Sequence, residues 1–287
     1  MKNFFIFTNE SKDPDMKITG EVVRVIDELG AKITGKACGQ PQEDVAGLRN
    51  SFAKVASDTD CVIVLGGDGT LLRVARILND FDVPILGINL GHLGYLTEGT
   101  GTGLKAVIES VTKDEYIIEE RMMLTSRVRY ADGSYSDSRI ALNDVTLNRN
   151  ISLRTIKFNL RVNGQILYDY VADGIIVSTP TGSTAYNLSC GGPIVEPTAK
   201  LFLITPIAPH SLNNRSLVLS SSDVIEIEIV GAMNDPDGIE YIAYADGDST
   251  IKLCPGDSVE IKCATQVTRL VRLSKLSFLQ TLKEKMS

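Results

Sequence analysis

With 287 residues, 43% hydrophobic and 23% charged, the chain is long enough for one large domain or two ordinary ones around a substantial core. Its net charge of −7 argues against a nucleic-acid or anionic-membrane binder, either of which needs a basic field. A small anionic ligand is not excluded, because a few local donors suffice for one phosphate. The five cysteines are scattered and show no C-x-x-C spacing, which fits reduced thiols better than a disulfide framework or a zinc site.

The first apolar run, over 4–8, predicts a buried strand. It is too short for a signal peptide, and Asn9, Glu10 and Lys12 follow at once. Asp13-Pro14 has the form of an N-cap with proline at the first helical position. Ile18, Val22, Val25, Ile26 and Leu29 then recur at helical spacing, with Gly30 as the stop. A second strand is predicted at 31–34 and a helix at 43–57. The continuous apolar run 61–65 is the pattern of a strand buried on both faces of a parallel sheet. A glycine-rich turn follows, then a helix over 71–78 and a strand over 83–88. This β-α-β-α-β order implies an open, mostly parallel sheet with helices on both faces.

After residue 120 the pattern changes to short alternating runs at 124–130, 138–148, 156–162, 175–178, 216–219, 224–229, 241–245 and 259–263. Turn pairs such as Asp132-Gly133, Asn163-Gly164 and Pro255-Gly256 separate many of them. The expected fold class is therefore α/β plus all-β: an N-terminal open Rossmann-like α/β domain over 1–120 and a C-terminal β-sandwich-like domain over 121–265. A helical tail within 266–287 is expected to return to the first domain. No stretch reaches the ~18 apolar residues of a membrane span, so a cytoplasmic protein with no membrane and no nucleic-acid partner is expected. The junction of two tightly joined domains is the natural place for a ligand.

Two runs carry the chemistry. Leu65-Gly66-Gly67-Asp68-Gly69-Thr70 lies between a buried strand and a helix. Its glycines are read as allowing positive φ and close approach of a ligand, and the N–H groups at a helix N-terminus suit phosphate. Asp68 would repel phosphate, so it is read either as a proton acceptor or cation ligand, or as a plain helix N-cap. The glycine spacing is neither a Walker A loop nor G-x-G-x-x-G. Arg73, one turn into the helix, is a phosphate contact or a solvated charge. The second run, 173–186, joins Asp173 to the hydroxyl-rich turn Ser178-Thr179-Pro180-Thr181-Gly182-Ser183-Thr184, then Ala185 and Tyr186. Its hydroxyls and N–H groups suit ribose and diphosphate oxygens, and Tyr186 suits a base. A Ser/Thr-capped turn is the bland alternative. Asn143-Asp144 is an unexpected polar pair inside a strand pattern, explained otherwise as an edge or bulge. His210, with Pro206 and Pro209 just before it, reads as structural rather than catalytic, and Cys190 has no base beside it.

Together these runs, with 89–96 and Gly191-Gly192-Pro193, resemble the NAD kinase family over most of the chain. The glycine loop alone is shared with diacylglycerol and sphingosine kinases and with phosphofructokinases; the run from Asp173 is far more specific. The resemblance implies a homo-oligomeric kinase, dimer or tetramer, that uses ATP and a divalent cation, Mg²⁺, to phosphorylate the adenosine ribose 2′-hydroxyl of NAD. It makes Asp68 the general base and assigns NAD contacts to Asp68, Gly69, Asn143, Asp144 and Asp173. Further NAD contacts are Thr184, Ala185, Tyr186, Asn187, Leu188 and Ser189, and Gly66, Gly67, Thr70 and Arg73 form the phosphate loop. Two departures stand out. Many members have Asn-Glu where this chain has Asn143-Asp144, and many bacterial members have arginine shortly before the second aspartate, where Val171 stands here; Arg154 is the expected substitute. The rival readings are a diacylglycerol-type lipid kinase, which leaves 179–186 unexplained, and a non-catalytic NAD(P)-binding regulator, which leaves Asp68 unexplained.

Overall fold

A computed structural model gives the fold and describes all residues except 41–48, 50, 51, 53, 54, 56, 92, 93, 101, 102, 151–154, 211–214, 232–240, 274–277 and 287. The chain divides into two compact units, Met1–Arg121 with Thr268–Ser287, and Met122–Val267. It passes between them inside two long strands, β6 (Ile117–Arg129) and β17 (Ser258–Arg272). Among the described residues no helix is long and apolar enough to cross a membrane.

The first unit is the expected α/β sheet. Strands β1 (Asn3–Asn9), β2 (Lys32–Gly39), β3 (Cys61–Gly66) and β4 (Ile85–Asn89) run in the order β2-β1-β3-β4, all parallel. The short β5 (Glu98–Thr100) adds to β4, and Leu270 of β17 pairs with Ile85. β3 is buried throughout, as its apolar run 61–65 requires when helices cover both faces, and β4 is buried throughout as well, its closing Asn89 included. Side chains alternate between those faces. Phe4, Ile6, Cys61, Ile63 and Leu65 meet Val22 and Val25 of the helix Lys17–Glu28 and Leu104 and Ile108 of the helix Leu104–Thr112. Phe5 and Phe7 point the other way, onto Phe52. The last helix, Phe278–Met286, belongs to this unit and sets Lys285 Nζ 3.9 Å from the centre of the Tyr95 ring.

The second unit is all β. One sheet holds β9 (Ile156–Val162), β10 (Gln165–Ala172), β14 (Ile225–Gly231) and β17 in the order β10-β9-β14-β17, antiparallel, with β6 pairing both β17 and β7 (Arg139–Ala141). The other runs β13-β12-β11-β8-β15-β16, again antiparallel. Its members are β8 (Asp144–Arg149), β11 (Gly174–Ser178), β12 (Leu201–Ile207), β13 (Leu217–Ser220), β15 (Tyr241–Ala245) and β16 (Asp248–Leu253). Alternate residues from both sheets form one core: Phe158, Leu160 and Ile227 from the first, Val145, Leu147, Val177, Phe202 and Tyr241 from the second.

Several details differ from the sequence reading. The helix after Asp13 starts later than expected, with Met16 in a left-handed conformation as its N-cap. Asp13 still satisfies its first turn, accepting the N–H groups of Ile18 (3.2 Å) and Thr19 (2.8 Å). The strand expected over 138–148 is two strands, broken at Leu142-Asn143. β10, β12 and β16 and the helix Leu104–Thr112 were not expected at all. The helix expected over 43–57 lies mostly outside the described residues.

Candidate active site

In the first unit the sheet order reverses between β1 and β3, the point where open α/β sheets bind ligands beyond their carboxyl ends. Gly66 ends β3 there, and the helix Asp68–Ile77 begins two residues later. Its N-cap is Gly67, not Asp68: the N–H groups of Thr70 and Leu71 reach the Gly67 carbonyl, and no side chain caps the helix. None of Gly66, Gly67 and Gly69 has positive φ, contrary to expectation. What glycine provides is room. A Cβ at Gly66 would collide with Thr70, whereas those of Gly67 and Gly69 would point into open space. Thr70 accepts a 2.7 Å bond from Asn9 Nδ2 at the end of β1, which ties the two sides of the reversal together.

The Asp68 carboxylate is held from one side by the segment after β4. Oδ2 accepts the Tyr95 N–H at 2.7 Å, and Oδ1 accepts the Leu96 N–H at 3.2 Å and the Thr97 hydroxyl at 3.4 Å. Asn89 donates to Thr97 Oγ1 at 3.2 Å and accepts the Gly91 N–H at 2.7 Å, closing the loop on itself. Gly94 is where the two segments touch: a Cβ there would overlap Asp68 Oδ1 and Thr97 Oγ1. Arg73 gives Nη1 to the Gln40 carbonyl at 2.8 Å. Its Nη2 is buried without a hydrogen-bond partner among the described residues.

In the second unit the break at Leu142-Asn143 is neither an edge nor a bulge, since β8 lies inside its sheet. Asp246 fills the break. Its carboxylate accepts the N–H groups of Leu142 (2.8 Å), Asn143 (2.7 Å) and Asp144 (3.1 Å). Asp246-Gly247, both at positive φ, form the tight turn between β15 and β16. Val145 and Leu147 enter the core, so the alternation sends Asp144, Thr146 and Asn148 to the opposite face. There Asn148 Nδ2 donates to the Tyr244 hydroxyl at 3.1 Å and also shares a hydrogen bond with Tyr186. Asp144 is buried beside Asp246; burial first, then that neighbouring charge, pushes its carboxyl up to about 7.

The hydroxyl-rich turn is locked from within. Ser178 Oγ donates to the carbonyls of Thr179 and Asn143, Thr179 Oγ1 to that of Leu142 at 2.6 Å, and Ser183 Oγ is paired with Val195. Asn187, fully buried, donates to the Ser183 and Pro193 carbonyls and accepts from Thr205 at 2.7 Å. Hydroxyls read as ligand contacts at Ser178, Thr179 and Ser183 are thus consumed in shaping the turn. What the turn presents outward is Thr184, Ala185, Tyr186, Leu188 and Ser189. Burial, and the negative charge of Asp144, keep the nearby Cys190 thiol above its usual range.

Asp173 sits at the other end of β11 from Ser178 and pairs with Arg149, Nη2 to Oδ2 at 2.8 Å. Arg154, the expected cation, lies outside the described residues. His210 is exposed and donates its backbone N–H to the Val171 carbonyl. Asn9, Asn148, Arg149, Tyr244 and Asp246 carry contacts here without being singled out as site residues by the sequence. The dipeptide Asp246-Gly247 and the alternation Asp144-x-Thr146-x-Asn148 are the signals that carry two of them, Asp246 and Asn148.

Comparison with known proteins decides the family. Residues 6–116 match the ATP-NAD kinase N-terminal domain, and residues 142–273 match the ATP-NAD kinase C-terminal domain. The chain belongs to the ATP-NAD kinase family. It is 41% identical to a NAD kinase of Lachnospira eligens, covering all of both chains. A NAD kinase of Agathobacter rectalis is 40% identical, with 100% of this chain and 99% of that one covered. The fold is that of yeast NADH kinase complexed with NADH (TM-score 0.82, 24% identity, 100% and 87% covered). It is also that of a NAD kinase from Archaeoglobus fulgidus in complex with ATP (TM-score 0.75, 23% identity, 99% and 98% covered). As a member of this family the chain is a phosphotransferase with ATP as donor and an NAD hydroxyl as acceptor. Neither the lipid-kinase nor the regulator reading is favoured.

Proposed function

We propose that Asp68 is the general base for transfer of the ATP γ-phosphoryl group to the adenosine ribose 2′-hydroxyl of NAD. The observation that supports this is the one-sided grip on its carboxylate. A carboxylate offers about four acceptor positions. Two donors occupy Oδ1 and one occupies Oδ2, leaving Oδ2 a free lone pair on a side chain that is still partly exposed. The hydroxyl oxygen attacks the γ-phosphorus in line, the bond to the ADP oxygen breaks, and the hydroxyl proton passes to Asp68 Oδ2. Gly66, Gly67, Gly69 and Thr70 admit phosphate oxygens at the helix N-terminus, and Arg73 supplies a cation one turn on.

Asn143, Asp144, Thr184, Ala185, Tyr186, Leu188 and Ser189 hold the dinucleotide, with Asp173 oriented by Arg149. Asn187 shapes the turn rather than touching the ligand. Among the described residues no three His, Cys, Asp or Glu side chains converge on a metal position. That fits a Mg²⁺ held mainly by nucleotide phosphates and water, with Asp68 the carboxylate nearest the phosphate loop. When bound, the ion neutralises charge on the phosphates. A cytoplasmic homo-oligomer, dimer or tetramer, completes the reading. The test is Asp68→Asn: kcat should fall by about 10²–10⁴ while NAD binding, measured calorimetrically, persists. Near-normal turnover would remove Asp68 from this role.

A further inference from the structure

The donors that hold Asp68 are two backbone N–H groups and one hydroxyl, so their aim depends on how the segment 94–98 is fixed. Two side chains from the C-terminal return fix it, and neither touches Asp68. Thr97 and Glu98 are both buried, and Arg272 pairs with Glu98, Nη1 to Oε1 at 2.7 Å. Glu98 Oε2 also accepts the Leu273 N–H at 3.2 Å, and Arg272 Nε lies 3.5 Å from Glu119. The segment is thereby anchored one residue beyond Thr97. Its other end is weighted by Lys285, over the ring of Tyr95, the residue whose N–H makes the shortest bond to Asp68.

We propose that Arg272 and Lys285 make the C-terminal return a positioning element for the Asp68 carboxylate, acting through Glu98 and Tyr95. The proposal rests on the reading of Asp68 as base. A displacement of about 1 Å at a reacting group can cost up to about 10²-fold in rate, so modest loosening of 94–98 is measurable. An exposed cation–ring contact biases a docked segment by roughly two- to fivefold; a buried ion pair weighs more.

The test measures kcat, both KM values and melting temperature for Lys285→Ala, Lys285→Arg and Glu98→Gln, each in the wild-type and the Asp68→Asn background. Lys285→Ala should lower kcat by roughly two- to fivefold, with KM for NAD and ATP within about twofold, and Lys285→Arg should restore it. Glu98→Gln should lower kcat by about tenfold or more. Neither should lower it further once Asp68 is Asn. Unchanged kcat in Lys285→Ala, a loss confined to KM, or the same loss in both backgrounds would overturn the proposal. Should Glu98→Gln fail to fold, the partly exposed Lys285 variants decide alone. A fault in the base assignment itself shows separately, as normal turnover in the single variant Asp68→Asn.

Discussion

Asp144 gives the sharpest test of the electrostatics. Burial first, and then the charge of Asp246 beside it, push its carboxyl up to about 7, well above the ordinary carboxylate range. Among the described residues only the Thr146 hydroxyl, donating at 3.1 Å, favours the charged form. Between pH 4 and 7 the folded state therefore keeps a proton that the unfolded chain has released. Stability from this group is complete below about pH 4, declines as pH rises, and is lost above about pH 7. About 1.4 kcal/mol per pH unit over that interval gives roughly 4 kcal/mol as an upper bound. Coupling to Asp246 reduces it, so roughly 2–3 kcal/mol is the working figure. Asp144→Asn is isosteric, keeps an acceptor for Thr146, and removes the titration. The variant's melting temperature should lie nearest the parent's at about pH 4 and exceed it by a margin that grows up to about pH 7 and then levels off. Parallel curves over pH 4–8, or a margin over the parent that shrinks between pH 5 and pH 8, would refute the reasoning.

Gly94→Ala puts a methyl group where Asp68 Oδ1 and Thr97 Oγ1 now lie. Turnover should drop by about 10²-fold as the carboxylate is displaced, measured in a coupled NADP-formation assay, with ATP binding little changed. Asn187→Ala leaves the Ser183 and Pro193 carbonyls and the Thr205 hydroxyl without their buried partner. It should cost about 2–4 kcal/mol in thermal or urea unfolding and raise KM for NAD more than KM for ATP.

Much of the fold can be read from local pattern. The apolar run of β3 announces a doubly covered parallel sheet, and period-two alternation announces β9, β14 and β15. Strands with weaker signals escape. β10 exposes Ile166 and Leu167 at its start, so its apolar residues do not alternate cleanly. β12 is buried almost throughout and carries a proline, which speaks against a strand when only sequence is available. β17 extends well past the run 259–263 because its later residues, Leu270 among them, join the parallel sheet of the other unit.

The site divides in the same way. The glycine loop, Asp68 and the run from Asp173 are contiguous, and their residue types name the chemistry before any fold is known. What a contiguous motif does not contain is the identity of the partners that aim it. Asp68 is gripped by residues 27 to 29 positions away, and Asn143-Asp144 is capped by Asp246 more than a hundred positions on. Those distances close only when β4 lies beside β3 and β15 beside β8. The sequence by itself determined the reaction and the residue offered as its base. Only the tertiary structure decided that most of the turn's hydroxyls are spent on its own shape, that Arg149 faces Asp173, and that the last helix reaches the loop holding Asp68. The physical reason is that a buried polar group must find its hydrogen-bond partner, and the chain supplies that partner in space, from any position in the sequence.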